Sequence, residues 1–292
     1  MSCAYDLKVP ISLQNALDLL SDAQSMPLAG GTNLLVEIRS GKERPQRLVA
    51  LDRIEGLAGI DINSETITIG ARATVGDLLR STELAKAAPS LVKAAGVFAG
   101  QMVRNAGTIG GNIACASPAA DLVPPLMSLD AQVTLQSSSG SRVVALDEYY
   151  QGYKQDVRRP DELVTQISMP RLPDQTHNRF YKLARRRGDA ITVVGLAVTL
   201  TVSDGVCRKA RIAMGAVAPC VIRARNAEAL LEGNVFDAAM IETAAAQAAA
   251  ECAPIDDVRA SAQYRRHCVR KLTRRLVAEA WNDLEAKVEA DV

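Results

Sequence analysis

Apolar and polar positions along the chain repeat with periods that change several times. In SLQNALDLLSDA (Ser12 to Ala23), Leu13, Ala16, Leu17 and Leu20 fall on one helical face behind a capping serine. The next stretch, MPLAGGTNLLVEIRSG, predicts a short buried strand over Pro27 to Ala29. A turn at Gly30 and Gly31 follows, then a short helix over Thr32 to Arg39. RLVALD (Arg47 to Asp52) reads as another strand. Strand, helix and strand in this order predict a small α/β unit with parallel pairing.

From about Glu65 the texture differs. TITIG (Thr66 to Gly70) alternates as a strand, and alanine-rich helices run to Gly100. AQVTLQSSSGSRVVALDEYY has two alternating runs around a turn that ends at Gly140, the pattern of a hairpin. ELVTQISMP adds one more strand. Two prolines and several polar residues between Pro170 and Asn178 mark a boundary. Beyond it, NRFYKLARR, AITVVGLAVTLTV and CRKARIAMGAV predict a meander, with Asp204-Gly205 as one turn. Ala238 to Cys252 and Ser261 to Glu289 read as helices, the second strongly basic. RRHCVRKLTRR within it reads as a solvated helix face. Three units are expected, over 1–55, 56–175 and 176–292.

Composition narrows the chemistry. The chain has 292 residues and a net charge of +1, so it lacks the excess of Lys and Arg that a phosphate-tracking nucleic-acid surface needs. It has no apolar run of membrane-spanning length. MSCAYDLKVPISLQ lacks the basic and apolar regions of a secretory signal, which leads to an expected cytoplasmic location. The six cysteines (Cys3, Cys115, Cys207, Cys220, Cys252 and Cys268) include no C-x-x-C pair. They read as scattered reduced thiols rather than a zinc or cluster framework. With only His177 and His267, a histidine triad or multi-histidine metal site is not expected. Redox work would need a bound cofactor.

Two glycine stretches stand out: AGGT at Ala29 to Thr32 and GTIGGN at Gly107 to Asn112. Glycine lets backbone approach a ligand closely, and successive N–H groups can hold an anion. Thr32, Asn33, Thr108 and Asn112 add polar side chains. Either stretch alone reads more simply as a tight turn; together they fit a diphosphate held between two elements. The chain has neither G-x-x-x-x-G-K-[ST] nor G-x-G-x-x-G, so a P-loop and a standard Rossmann fingerprint are excluded.

FAGQMVRNAGTIGGNIACASPAADLVP closely resembles the signature of the FAD-binding medium subunits of molybdenum hydroxylases of the xanthine dehydrogenase and carbon monoxide dehydrogenase type. PLAGGTNLL resembles that family's first FAD loop, and RPDELVTQISMP and RFYKLARRRGDAI resemble its later segments, in order. The resemblance implies an α+β fold with an α/β N-terminal part. This is a PCMH-type FAD-binding fold followed by a domain of antiparallel sheet and helices. It also implies site residues. Leu28, Ala29, Gly30, Gly31, Thr32, Asn33 and Leu34 form the first stretch, with Ala29 to Asn33 cradling the diphosphate. Thr108, Ile109, Gly110, Gly111 and Asn112 form the second, with amides facing the cofactor. Phe98 packs on the FAD, and Asp121 hydrogen-bonds it. Val164 and Lys182 contact it, at least partly through backbone. Ala114 and Cys115 lie near the flavin ring, where relatives often carry larger or hydroxylated residues.

The family resemblance further implies an oxidoreductase subunit that carries electrons but has no catalytic residues of its own for the organic substrate. Molybdopterin would reside in a large partner subunit and two [2Fe–2S] clusters in a small one. The electron acceptor would be NAD or another molecule. The FAD is expected to be non-covalent, since AGGTNLL contains no histidine. Arg185, Arg186 and Arg187 read as a solvated edge, or as a docking surface for a partner or a nicotinamide cofactor. Two alternatives stay open: a self-contained flavoenzyme on the same fold, such as a cell-wall enolpyruvyl reductase, and a non-catalytic FAD-binding assembly protein.

Overall fold

A computed structural model describes residues 5–186 and 188–290, with side chains up to 283. Cys3 and Arg187 lie outside the described residues. The chain opens with β1 (Asp6–Lys8), α1 (Leu13–Leu20), β2 (Ser25–Leu28), α2 (Leu34–Arg39) and β3 (Arg47–Ala50). The three strands pair in parallel in the order β1-β3-β2. Ser12 caps α1, its hydroxyl accepting from the Asn15 amide, and Ala16, Leu17 and Leu20 are buried as their spacing predicts. The β2 strand sits two residues earlier than the sequence suggests, and α2 begins at Leu34 rather than Thr32. Gly31 takes a φ of +69° there, and Thr32 and Asn33 turn before the helix starts.

The next stretch holds β4 (Ile60–Ile62), β5 (Thr66–Gly70), six short helices, a single further helical turn and five further strands. The helices are α3 (Val75–Arg80), α4 (Thr82–Ala87), α5 (Pro89–Gly96), α6 (Gln101–Ala106), α7 (Ile109–Ala114) and α8 (Val123–Ser128). After them come β6 (Gln132–Ser137), β7 (Gly140–Ala145), the single turn α9 (Leu146–Tyr149), β8 (Tyr150–Gly152), β9 (Gln155–Asp156) and β10 (Leu163–Pro170). Strands β4, β5, β10, β6 and β7 form one antiparallel sheet in that order, and β6–β7 is the expected hairpin. The helices cover one face of it around Ile69, Leu78, Leu91, Ile113 and Val133, all fully buried.

The chain then forms an antiparallel meander of β11 (Thr176–Ala184), β12 (Thr192–Ser203), β13 (Val206–Gly215) and β14 (Ile222–Arg223). Asp204 and Gly205 both take positive φ, the geometry of a tight hairpin turn. Three helices follow, α10 (Arg225–Leu231), α11 (Ala238–Ala250) and α12 (Ala262–Ala290). The first of these was not read from the sequence. Strand β12 is buried continuously from Thr192 to Leu200, because both of its faces are covered. Val194, Leu196 and Val198 pack with the α11 and α12 side, whereas Ala197 packs into the preceding helical core.

Polar links seal that second face. Asn178 accepts from the Ser90 amide at 2.9 Å and donates to Thr199 at 2.6 Å. Asp130 meets Lys209, Arg211 and Arg223. Arg265, 2% exposed, reaches out of α12 to the carbonyls of Val193 and Ala216 and to Asp257, each at 2.8 Å. It thereby fixes the first turn of β12 beside Thr192. Removing one member of such a buried pair strands the other. Arg265→Met is expected to lower unfolding free energy by about 3 kcal/mol in urea titration; an unchanged midpoint would show that Arg265 is not a structural tie.

A candidate FAD site between two glycine segments

The two glycine stretches touch. A β-carbon on Gly30 would sit 1.8 Å from the Ala106 carbonyl oxygen, so only glycine allows the β2–α2 loop to lie against the end of α6. Around this contact lies a cavity of about 790 Å³, within the size range of cofactor pockets. All the site residues expected from the sequence line it except Leu28 and Ile109. Ile109 is fully buried in the core behind the wall. Leu28 packs beneath Gly31.

The two stretches differ in what their backbone does. Among the described residues, no backbone N–H from Ala29 to Leu34 donates a hydrogen bond, although the segment lines the cavity. A run of free N–H groups in a cavity wall can hold an anion. The second stretch is a correction to the expectation that its amides face the cofactor. It is a helix, α7, capped by Thr108. The Ile109 and Gly110 amides donate to the Ala73 and Ala71 carbonyls at 2.9 and 2.8 Å. The Gly111 amide donates to the Thr108 hydroxyl and the Asn112 amide to the Thr108 carbonyl. Gly110 is required by packing, since a β-carbon there would lie 2.6 Å from the Ala71 methyl. Gly111 also lines the cavity, and a β-carbon there would meet only the Thr108 hydroxyl, at 2.9 Å.

Asp121, 9% exposed, lines the cavity with both oxygens engaged. One accepts from Lys182 Nζ at 2.6 Å and the other from the Thr192 hydroxyl. Burial pushes the Asp121 carboxyl above its ordinary range, against the pull of Lys182. The trio joins the segment after α7 to β11 and β12, and Asn112 braces it by accepting from the Leu122 amide. Phe98 lines the wall from a loop pinned by Arg104, whose guanidinium donates to the Phe98 and Ala99 carbonyls. Val164 enters from β10, next to Thr165, whose carbonyl accepts the Ala71 amide.

Near Ala114 and Cys115 the site contains groups that sequence reasoning missed. Lys154 meets Glu37 at 2.5 Å and lies 4.0 Å from the Cys115 sulfur. Glu37 also accepts from Asn33, so the first loop is tied across the cavity to the β8–β9 turn. Burial raises the Cys115 thiol pKa despite Lys154. Arg158, paired with Asp156, donates to the Ala114 carbonyl, and the Tyr150 hydroxyl donates to that of Ile113. They satisfy the last carbonyls of α7. Lys154 and Glu37 are 117 residues apart, and no local pattern announces them. His177 and His267 do not line the cavity.

A diphosphate-bearing flavin fits this arrangement, with open amides at one segment and apolar walls of Leu51, Leu57, Phe98 and Val103. The comparisons agree. Residues 4–172 match the FAD binding domain in molybdopterin dehydrogenase, and residues 179–280 match the CO dehydrogenase flavoprotein C-terminal domain. The class is therefore an FAD-binding oxidoreductase subunit. The chain is 34% identical over 280 residues to the 6-hydroxypseudooxynicotine dehydrogenase complex subunit alpha of Paenarthrobacter nicotinovorans, covering 95% of this chain and 94% of the relative. It is 35% identical to the carbon monoxide dehydrogenase medium chain of Afipia carboxidovorans, covering 95% and 96%. A solved carbon monoxide dehydrogenase from Hydrogenophaga pseudoflava superposes with a TM-score of 0.92 at 32% identity, covering 96% and 98%. The chain belongs to the family of FAD-binding subunits of molybdenum hydroxylases, which includes the carbon monoxide dehydrogenase medium chains.

The two glycines make opposite demands. Gly30→Ala drives a methyl into the Ala106 carbonyl and is expected to cost at least about 2 kcal/mol of stability. Gly111→Ala sits in a helix with ordinary φ and its methyl would meet only the Thr108 hydroxyl, at 2.9 Å, so it is expected to cost less, about 1 kcal/mol. Thermal midpoints of both full-length variants check this; equal shifts would remove the packing account of Gly30.

Proposed function

We propose that this chain is the electron-transfer station of a heterotrimer in the cytoplasm. A partner subunit carrying molybdopterin hydroxylates an N-heterocycle, purine or aldehyde. A small partner carrying [2Fe–2S] clusters relays the electrons to this chain, which delivers them to NAD or another acceptor. FAD, when bound, supplies the ability to take electrons singly and release them in pairs.

The open backbone donors of Ala29 to Leu34 carry the reading, since they give this chain a place for the cofactor's diphosphate. Gly111 of the second segment lines the same cavity. Phe98 offers a flat apolar surface, and the Asp121–Lys182–Thr192 trio presents polar atoms at the base of β12. Among the described residues no histidine lines the cavity, and burial keeps the one lining thiol, Cys115, above its ordinary pKa, which supports non-covalent attachment. The two relatives at 34% and 35% identity are named for very different compounds, a pseudooxynicotine and carbon monoxide. Such even similarity supports placing substrate choice in the partner subunits rather than in this chain. The described cysteines are dispersed, with Cys207, Cys252 and Cys268 in the core of the C-terminal part. That distribution supports assigning the clusters to a partner.

A stopped-flow comparison tests the division of labour. The FAD-loaded chain alone should show no flavin bleaching with candidate purines, N-heterocycles or aldehydes. The complex with its molybdenum and iron–sulfur subunits should bleach with its substrate, the clusters reducing first. Rapid bleaching of the isolated chain by an organic substrate would favour a self-contained flavoenzyme.

A further inference from the structure

Four cationic side chains line the cavity: Arg72, Lys154, Arg158 and Lys182. Three have carboxylate partners. Lys154 pairs with Glu37, Arg158 with Asp156 and Lys182 with Asp121, at 2.5, 2.9 and 2.6 Å. Arg72 differs. Among the described residues its guanidinium makes no hydrogen bond or ion pair, and its Nε is buried without an acceptor. Two lining carboxylates, Glu43 and Asp189, also have no ion pair among the described residues, yet neither comes within 4.0 Å of Arg72.

The backbone that carries Arg72 is held on several sides. Its amide donates to the Leu57 carbonyl at 2.7 Å, and the preceding Ala71 is clamped on both sides. The Ala71 amide donates to Thr165, its carbonyl accepts from Gly110, and its methyl fills the space that Gly110 leaves. The arginine is thus anchored to the rigid seam between β5, β10 and α7. It also belongs to the cavity wall that includes the open amides of the first glycine loop. A guanidinium with free donors in the wall of a ligand cavity, carried on a fixed stretch of backbone, is suited to a phosphate group.

We infer that Arg72 binds the diphosphate of the FAD, supplying the counter-charge to the neutral amides of Ala29 to Leu34. This inference rests on the FAD reading of the cavity. Among the described residues, five lining carboxylates (Glu37, Glu43, Asp121, Asp156 and Asp189) outnumber the four lining cations. A dianion is therefore not drawn in by the cavity as a whole. Its place is decided by the open donors and by Arg72, the lining cation that has no partner among the described residues.

The test uses the flavin-free full chain, with FAD, ADP and adenosine as ligands. Arg72→Met should weaken FAD and ADP roughly ten- to a hundredfold and leave adenosine unchanged. Its ADP affinity should also depend less on salt than that of the wild type, because one phosphate contact is gone. Arg72→Lys should recover part of the loss, and near-native thermal midpoints for both variants would exclude misfolding. Unchanged FAD and ADP affinity in Arg72→Met would overturn the proposal while leaving the cavity's FAD assignment standing. Equal losses for ADP and adenosine would also overturn it, placing Arg72 on the adenine. Failure of the folded wild type to bind FAD would instead refute the cavity assignment itself.

Discussion

The β2–α2 loop turns at Gly31 and presses Gly30 onto the Ala106 carbonyl, leaving the amides from Ala29 to Leu34 without acceptors. These residues are half-buried or exposed, so their amides are open to whatever occupies the cavity. The rest of the site can be understood as support for that arrangement. Because Gly30 has no side chain, the parallel unit can dock against α6. Because Gly110 has none, α7 can dock against Ala71. One close approach joins the two glycine segments, and the other joins α7 to the antiparallel sheet.

The C-terminal part completes the cavity as well as packing behind it. Lys182 and Thr192 come from β11 and β12, and both converge on Asp121. A buried carboxylate whose pKa is pushed up by its surroundings holds its charge only through such partners. Arg265 in turn secures the carbonyl of Val193, the neighbour of Thr192. A chain of polar contacts therefore runs from the last helix to the cavity wall. The two sequence regions that match separate family models thus contribute to one site.

Much of this was legible in the sequence, for definable reasons. The parallel unit and the meander show through because their apolar periods contrast sharply and their turns carry glycine. Strand β1 gave no such signal, since all three of its residues are exposed. The GTIGGN stretch read as a loop because glycine disfavours helix by about 1 kcal/mol. Thr108 capping and the Ala71 contact override that preference. Family resemblance brought together all the lining residues it named except Leu28 and Ile109. It missed Lys154, Glu37 and Arg158, whose roles arise from contacts between distant segments. Arg72 could not be read at all, because lacking a partner is a property of three dimensions.

Hydrogen–deuterium exchange of the full chain, with and without FAD, tests the central claim most directly. Without FAD, amides 29–34 should exchange quickly, while those of Ile109 and Gly110 should already be slow. Adding FAD should slow the first group at least roughly tenfold, as expected when free donors gain charged acceptors. Unchanged exchange at 29–34 in the FAD-saturated chain would contradict the account, because the diphosphate would then rest on some other part of the cavity.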